Sequence, residues 1–129
     1  MAKTHTVNRI LTQSAGPTIQ DTGASYTGDT VTNSDLTVPA NGAGANAIEI
    51  AFTAANFKSL ALLSTVPCVV TLTGATAING ITTSTVTLVA NVMSHVSAIT
   101  GDVTAISIGA NTTGSGPEGA LNLSLLRNT

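Results

Sequence analysis

Residues 84–111 read STVTLVANVMSHVSAITGDVTAISIGAN, with one aspartate, one histidine and no lysine, arginine, glutamate or aromatic residue. Two phrases within it, STVTLVAN and DVTAISIG, are rich in Val, Ile, Leu and Thr and are separated by a Thr-Gly-Asp turn signal at 100–102. β-Branched residues fit a pleated, half-buried surface, and Gly with Asp breaks it. Comparable short runs recur about every eight to twelve residues, the spacing of an all-β sandwich or barrel.

Working outward, NAIEIAF at 46–52 puts Ile48, Ile50 and Phe52 on one face and Glu49 and Ala51 on the other. ALNLSLL near the end alternates Leu121, Leu123 and Leu125 with Asn122 and Ser124. HTVNRILT, SYTGDTVT, SLALLS and CVVTLTG complete the set. The expectation is an all-β fold, a β-sandwich or jelly-roll-like domain of about seven or eight antiparallel strands. Helix signals are nearly absent: only 53–64, TAANFKSLALLS, has residues for a helical turn, with Thr53 as its cap. Asn79-Gly80, between two apolar runs, suits a type I′ hairpin because both central positions need positive φ. NGAG at 41–44 and TTGSGPEG before the last strand read as loops. Residues 14–47 are poor in apolar side chains and read as a long, loose segment with a short strand or two. The organisation expected is a strand or arm over 1–20 and a single β-sandwich domain over 21–129.

A chain of 129 residues is the size of one domain. Charged residues make up 8%, against about 25% in an average soluble domain. Mean hydropathy is +0.38, yet no window of about 18 to 20 apolar residues exists, so no membrane-spanning helix is expected. The start, MAKTHTVNRILTQ, lacks the continuous apolar region of a secretory signal. Four basic against six acidic side chains give a net charge of -2. With no basic cluster, nucleic-acid binding is not expected. Cys68 is the single cysteine, which excludes an intramolecular disulfide.

The chemical inventory is thin. His5 and His95 are the only imidazoles, neither with a second His, Cys or acid at ligand spacing, so no metal site is expected. Each is read as a surface or interface histidine. No G-x-S-x-G elbow marks a serine nucleophile. Asp21, Asp29 and Asp35 recur in the loose segment without the spacing of a calcium loop, and turn-capping is the plain reading. Cys68, between Pro67 and Val69, reads as a buried thiol; a nucleophilic role needs a cationic neighbour such as His95. NTT at Asn111 and NLS at Asn122 match glycosylation sequons in form, as expected by chance in a chain rich in Thr and Ser. With Phe52, Phe57, Tyr26 and no Trp, the chain lacks the aromatic platforms of a sugar site. No catalytic residue, cofactor or metal is expected, and the chain reads as a non-enzyme.

Strands with so few Lys, Pro or charged residues leave their edges open to pairing. Interface cores are likewise depleted in charge, so homo-oligomerisation or docking onto a larger assembly follows as an expectation. The phrases SLALLS, VVTLTG, TLVANV, GDVTAISI and ALNLSLLRN, spread over 57–129, resemble small virion proteins encoded with the head genes of tailed bacteriophages. The family is that of capsid decoration, or cement, proteins. The resemblance implies a β-sandwich or jelly-roll-like virion protein on the outside of the capsid, made in the host cytoplasm. It further implies a homotrimer that bridges subunits of the major capsid protein. The candidate partner-binding residues are Lys3, His5 and Arg9 of the N-terminal arm and Asp21, Asp29 and Asp35 of the polar segment. The alternatives are another β-rich virion part, such as a head-fibre base, tail component or adhesin-like tip, and a small ligand-binding or enzymatic β-sandwich.

Overall fold

The computed structural model describes residues 2–11, 15 and 19–129, with 9–11 and 19–23 described by their backbone alone. Two four-stranded antiparallel sheets face each other. The first runs β3 (Thr30–Val38), β12 (Gly119–Arg127), β5 (Phe57–Ser64), β9 (Ser94–Val96). The second runs β4 (Asn46–Ile48), β11 (Ala105–Ile108), β6 (Cys68–Thr73), β8 (Thr85–Leu88). Numbered among themselves, these eight strands follow the order 1-8-3-6 in one sheet and 2-7-4-5 in the other, which is the double-sheet connectivity of a jelly roll. The all-β, sandwich-type expectation holds.

Period-two patterning makes the core. Leu121, Leu123 and Leu125 of β12 share one face with Leu60 and Leu62 of β5, and all join a single buried cluster with Cys68, Val70, Leu72, Ile106 and Ile108 of the opposite sheet. Ile48, Ile50 and Phe52 turn toward that cluster while Glu49 and Ala51 face out, as their alternation predicts. Regular pairing stops at Ile48, and Phe52 rejoins through an isolated bridge to Val103. Asn79 and Gly80 have φ of 49° and 79°, and Ile78 and Ile81 exchange backbone hydrogen bonds across them, which makes the two-residue hairpin. At Thr53 a single turn forms, with its hydroxyl capping Asn56 N–H, before the chain straightens into β5.

Three features depart from the sequence reading. Residues 19–38 are not loose: β2 (Ile19–Gly28) and β3 are long strands, and β3 pairs with β12 along nine consecutive register positions. Their Ser, Thr and Asn side chains hid them, because on β3 the main core receives chiefly Leu36 and Val38 and backbone pairing supplies the rest. A boundary after residue 20 falls inside β2, so it does not separate an arm from a domain. β9, and the pairing of β7 (Ala77–Ile78) with β10 (Ile99–Thr100), are too short to carry a periodic signal. Residues 12–14 and 16–18, at the start of the segment read as loose, lie outside the described residues.

β1 (Lys3–Leu11) pairs with β2 in a separate two-stranded sheet. This ribbon lies on the outer face of the first sheet, turned away from the main core. The chain passes from β2 to β3 close under the end of β12. A Cβ at Gly28 would sit 2.8 Å from the Arg127 carbonyl oxygen, and Asp29 N–H donates to that same oxygen at 3.1 Å. Only glycine fits such an approach.

Candidate functional site

The outer face of the first sheet carries the molecule's chemistry, and its cross-strand register explains why. One row across the four strands reads Asn33, Ser124, Ala61, His95, and the next reads Val31, Leu126, Ser59. Small Ala61 stands between two polar residues. Above these rows, His5 and Tyr26 are directly opposed on β1 and β2 and so point to the same side of the ribbon.

His5 joins the rows. Its Nε2 lies 2.9 Å from Ser124 Oγ, and its Nδ1 lies 2.9 Å from Ser59 Oγ. Ser59 Oγ is in turn 2.7 Å from His95 Nε2. Ser124 donates to Asn33 Oδ1 at 2.6 Å, so its oxygen is left to accept from His5 Nε2–H. A neutral His5 then accepts at Nδ1 from the Ser59 hydroxyl, which accepts from His95 Nε2–H. Every hydrogen bond in this chain of five side chains runs in one direction with His5 uncharged. Burial lowers the pKa of His5 from its ordinary value, in keeping with a neutral ring. The Tyr26 ring covers His95, with centroids 4.9 Å apart and planes tilted by 50°.

Each histidine reads from the sequence as a surface or interface group; His5 is partly buried between ribbon and sheet, and His95 is not at the surface. His95 is 8% exposed, and Ser59 is wholly buried. Sequence spacing missed the cluster because its hydrogen-bonded partners are 36 to 119 residues apart in the chain. Val7 and Leu126 are also buried yet lie outside the main cluster, forming an apolar seal between ribbon and sheet. A serine held between two imidazoles looks like a nucleophile with its base, but Ser59 Oγ has no exposed surface from which to reach a substrate. Cys68 belongs to the opposite sheet's core, where burial pushes its thiol pKa up against a weaker opposing hydrogen bond with Ser64. It does not join His95. Among the described residues no three His, Cys, Asp or Glu side chains group as metal ligands.

The described side chains of the ribbon cover only part of the face. Beyond them lies an open groove of about 350 Å³, lined by Asn33, Asp35, Asn122 and Ser124 on one side and Ala61, Leu63 and Met93 on the other. The turn over 89–93 borders this groove and is tied down where Asn91 N–H donates to the Ser64 carbonyl at 2.7 Å. That turn exposes Val89 at 61% and Val92 at 53%, beside the partly exposed Leu63 and Met93.

The candidate partner residues are dispersed. Lys3 opens β1 and is exposed, and Asp35 is exposed at the groove. Arg9 and Asp21 pair through the backbone further along the ribbon; their side chains lie outside the described residues. Asp29 is engaged within the chain: one carboxylate oxygen accepts from the Thr30 hydroxyl and from both the amide and hydroxyl of Thr129. The Thr30 hydrogen bond leads in holding its pKa below the ordinary carboxylate value. Asn111, the first sequon, is buried and committed as well, donating to the Pro117 carbonyl and accepting from Thr113 N–H.

No protein-family model matches the chain, and searches of curated proteins and of solved structures found no match.

Proposed function

We propose that this protein is a structural, adhesive virion component: a capsid decoration protein of a tailed bacteriophage that bridges major capsid protein subunits, acting as a homotrimer. The observation that carries the reading is the exposed apolar rim formed by Leu63, Val89, Val92 and Met93 beside the open groove. Among the described residues Asp35 is the single charged side chain lining that groove. An uncharged apolar centre with a polar surround is the composition of a protein interface. A chain this size can present a standard contact of about 800 Å² per partner, and several such contacts per trimer add avidity. The jelly-roll connectivity supports the reading at the level of architecture alone, since lectins and cupins share it with viral capsid domains.

Two charged substitutions on the rim, Leu63→Glu and Met93→Glu, test the proposal without touching the core. The wild-type protein is expected to scatter light as a trimer and to co-migrate with empty capsids of its source, with the double variant folded and at least ten-fold weaker in binding. A monomeric wild type that ignores capsids overturns the reading. Deletion of residues 1–20 is a poorer test, because removing β1 also uncovers Ser59, His95 and Leu126.

A groove of about 350 Å³ falls within the range of small-molecule sites, about 300 to 1,000 Å³. That volume favours a small ligand-binding module as the second reading. Ligand-induced shifts confined to the groove, in a protein without capsid affinity, would select it.

A further inference from the structure

The His5–Ser59–His95 chain does more than seal a buried face, because its order depends on protonation. We infer that the β1–β2 ribbon is a pH-released flap, latched onto the outer sheet face while His5 is neutral and let go when His5 takes up a proton. The latch joins three separate parts of the fold: His5 on the ribbon, Ser59 and Ser124 on the central strands β5 and β12, and His95 on the edge strand β9.

The only ring atom of a neutral His5 that can take a proton is Nδ1, which is accepting from Ser59. Once protonated, Nδ1–H points at the Ser59 hydroxyl, which already receives His95 Nε2–H. As long as His95 holds its proton on Nε2, the Ser59 proton must then turn away from both rings, and Ser59 has no exposed surface at which water can receive it. A positive charge is also placed under the ribbon beside Leu126 and Val7, both buried.

Among the described side chains the ionisable groups of the elements involved offer that charge little relief. On β1 the group is Lys3 and on β2 Tyr26; Arg9 and Asp21 pair through the backbone beyond Val7, and their side chains lie outside the described residues. On β3 the group is Asp35, one row further along the face than Asn33 and exposed to solvent at the groove. Lys58 lies at the β-bulge of β5, between Phe57 of the core and outer-face Ser59; Arg127 on β12 follows outer-face Leu126, and its guanidinium donates to the Ala51 carbonyl at 2.7 Å. His95 on β9 lies on the far side of Ser59 from His5.

The direction follows from linkage. Burial lowers the pKa of His5 in the latched state, so the open state binds more protons at mildly acidic pH. Latching is strongest above the ordinary histidine pKa of about 6.5, weakens as pH falls from there toward the lowered latched-state value, and is constant below it. One proton changes the open-to-latched ratio by at most about ten-fold per pH unit. Opening uncovers Leu126, Ser59 and His95 and joins them to the existing groove as one larger face.

Amide hydrogen exchange of the full-length protein between pH 7.5 and 5.0, corrected for intrinsic rates, reads the flap directly. The expected result is at least a ten-fold rise in opening over 3–8 and 24–28 at pH 5.0, with β5 and β12 centres still protected. In His5→Gln, whose amide can accept from Ser59 and donate to Ser124, the rise is expected to vanish. A pH-independent wild type, or an equal rise in the variant, overturns the proposal. Should His5→Gln be open at both pH values, NMR titration of the wild-type imidazoles decides. His5 taking its proton in the same interval as ribbon opening sustains the flap, and titration with the ribbon still protected overturns it.

Discussion

Replacing Ser59 by alanine removes one oxygen and leaves two imidazole nitrogens without their shared partner. The His95 nitrogen belongs to a side chain 8% exposed, so losing its hydrogen bond with Ser59 falls toward the upper end of the about 1–3 kcal/mol scale for buried groups. His5 is half-buried and can turn its Nδ1 to water, which places it at the lower end. Together the loss is about 2–4 kcal/mol. The ribbon's apolar seal rests on Val7 and Leu126, each contributing about 1.5–3 kcal/mol when fully buried, so the substitution removes a large part of what holds the ribbon down. At pH 7.5 the opening equilibrium of residues 3–8 and 24–28 should rise roughly 30- to 900-fold, read by native-state hydrogen exchange, while amides at the centres of β5 and β12 change far less. A rise below about three-fold would refute the reasoning, since the bridging hydroxyl would then carry almost none of the docking energy.

Two further outcomes follow from local geometry. Gly28→Ala brings a Cβ to 2.8 Å from the Arg127 carbonyl oxygen, and forced contacts of this kind cost about 1–3 kcal/mol; a thermal melt should show the loss, and an unchanged midpoint would mean that the β2–β3 turn moves freely away from β12. Cys68 is buried with its thiol pKa raised, so at pH 8 it should react with a disulfide reagent only at the rate of unfolding and become fast in urea. Rapid reaction of the folded protein would contradict its place in the core.

The sandwich was legible because its core strands bury one face each. Leu121, Leu123 and Leu125 alternate with polar residues, and Ile48, Ile50 and Phe52 do the same, so the side each residue faces could be read from the chain. Asn79-Gly80 was equally legible, since few other pairs accept two consecutive positive φ angles. β2 and β3 were not. Their alternating Ser, Thr and Asn residues carry little hydrophobic contrast, and the pairing with β12 that makes β3 a strand is set by a segment about ninety residues later.

The site was illegible for a different reason. Two histidines and two serines whose hydrogen-bonded pairs are separated by 36 to 119 positions carry no spacing signal, and their meeting depends on a cross-strand register together with the placement of a ribbon from the other end of the chain. By itself the sequence determined the fold class, the buried thiol and the scarcity of charge, because each depends on residue type and local period. Tertiary structure decided which polar side chains leave water. Burial of His5, Ser59 and His95 arises only when the ribbon closes over a sheet face assembled from distant strands, and hydrogen-bond direction under that cover depends on distances of a few ångströms that no local pattern encodes.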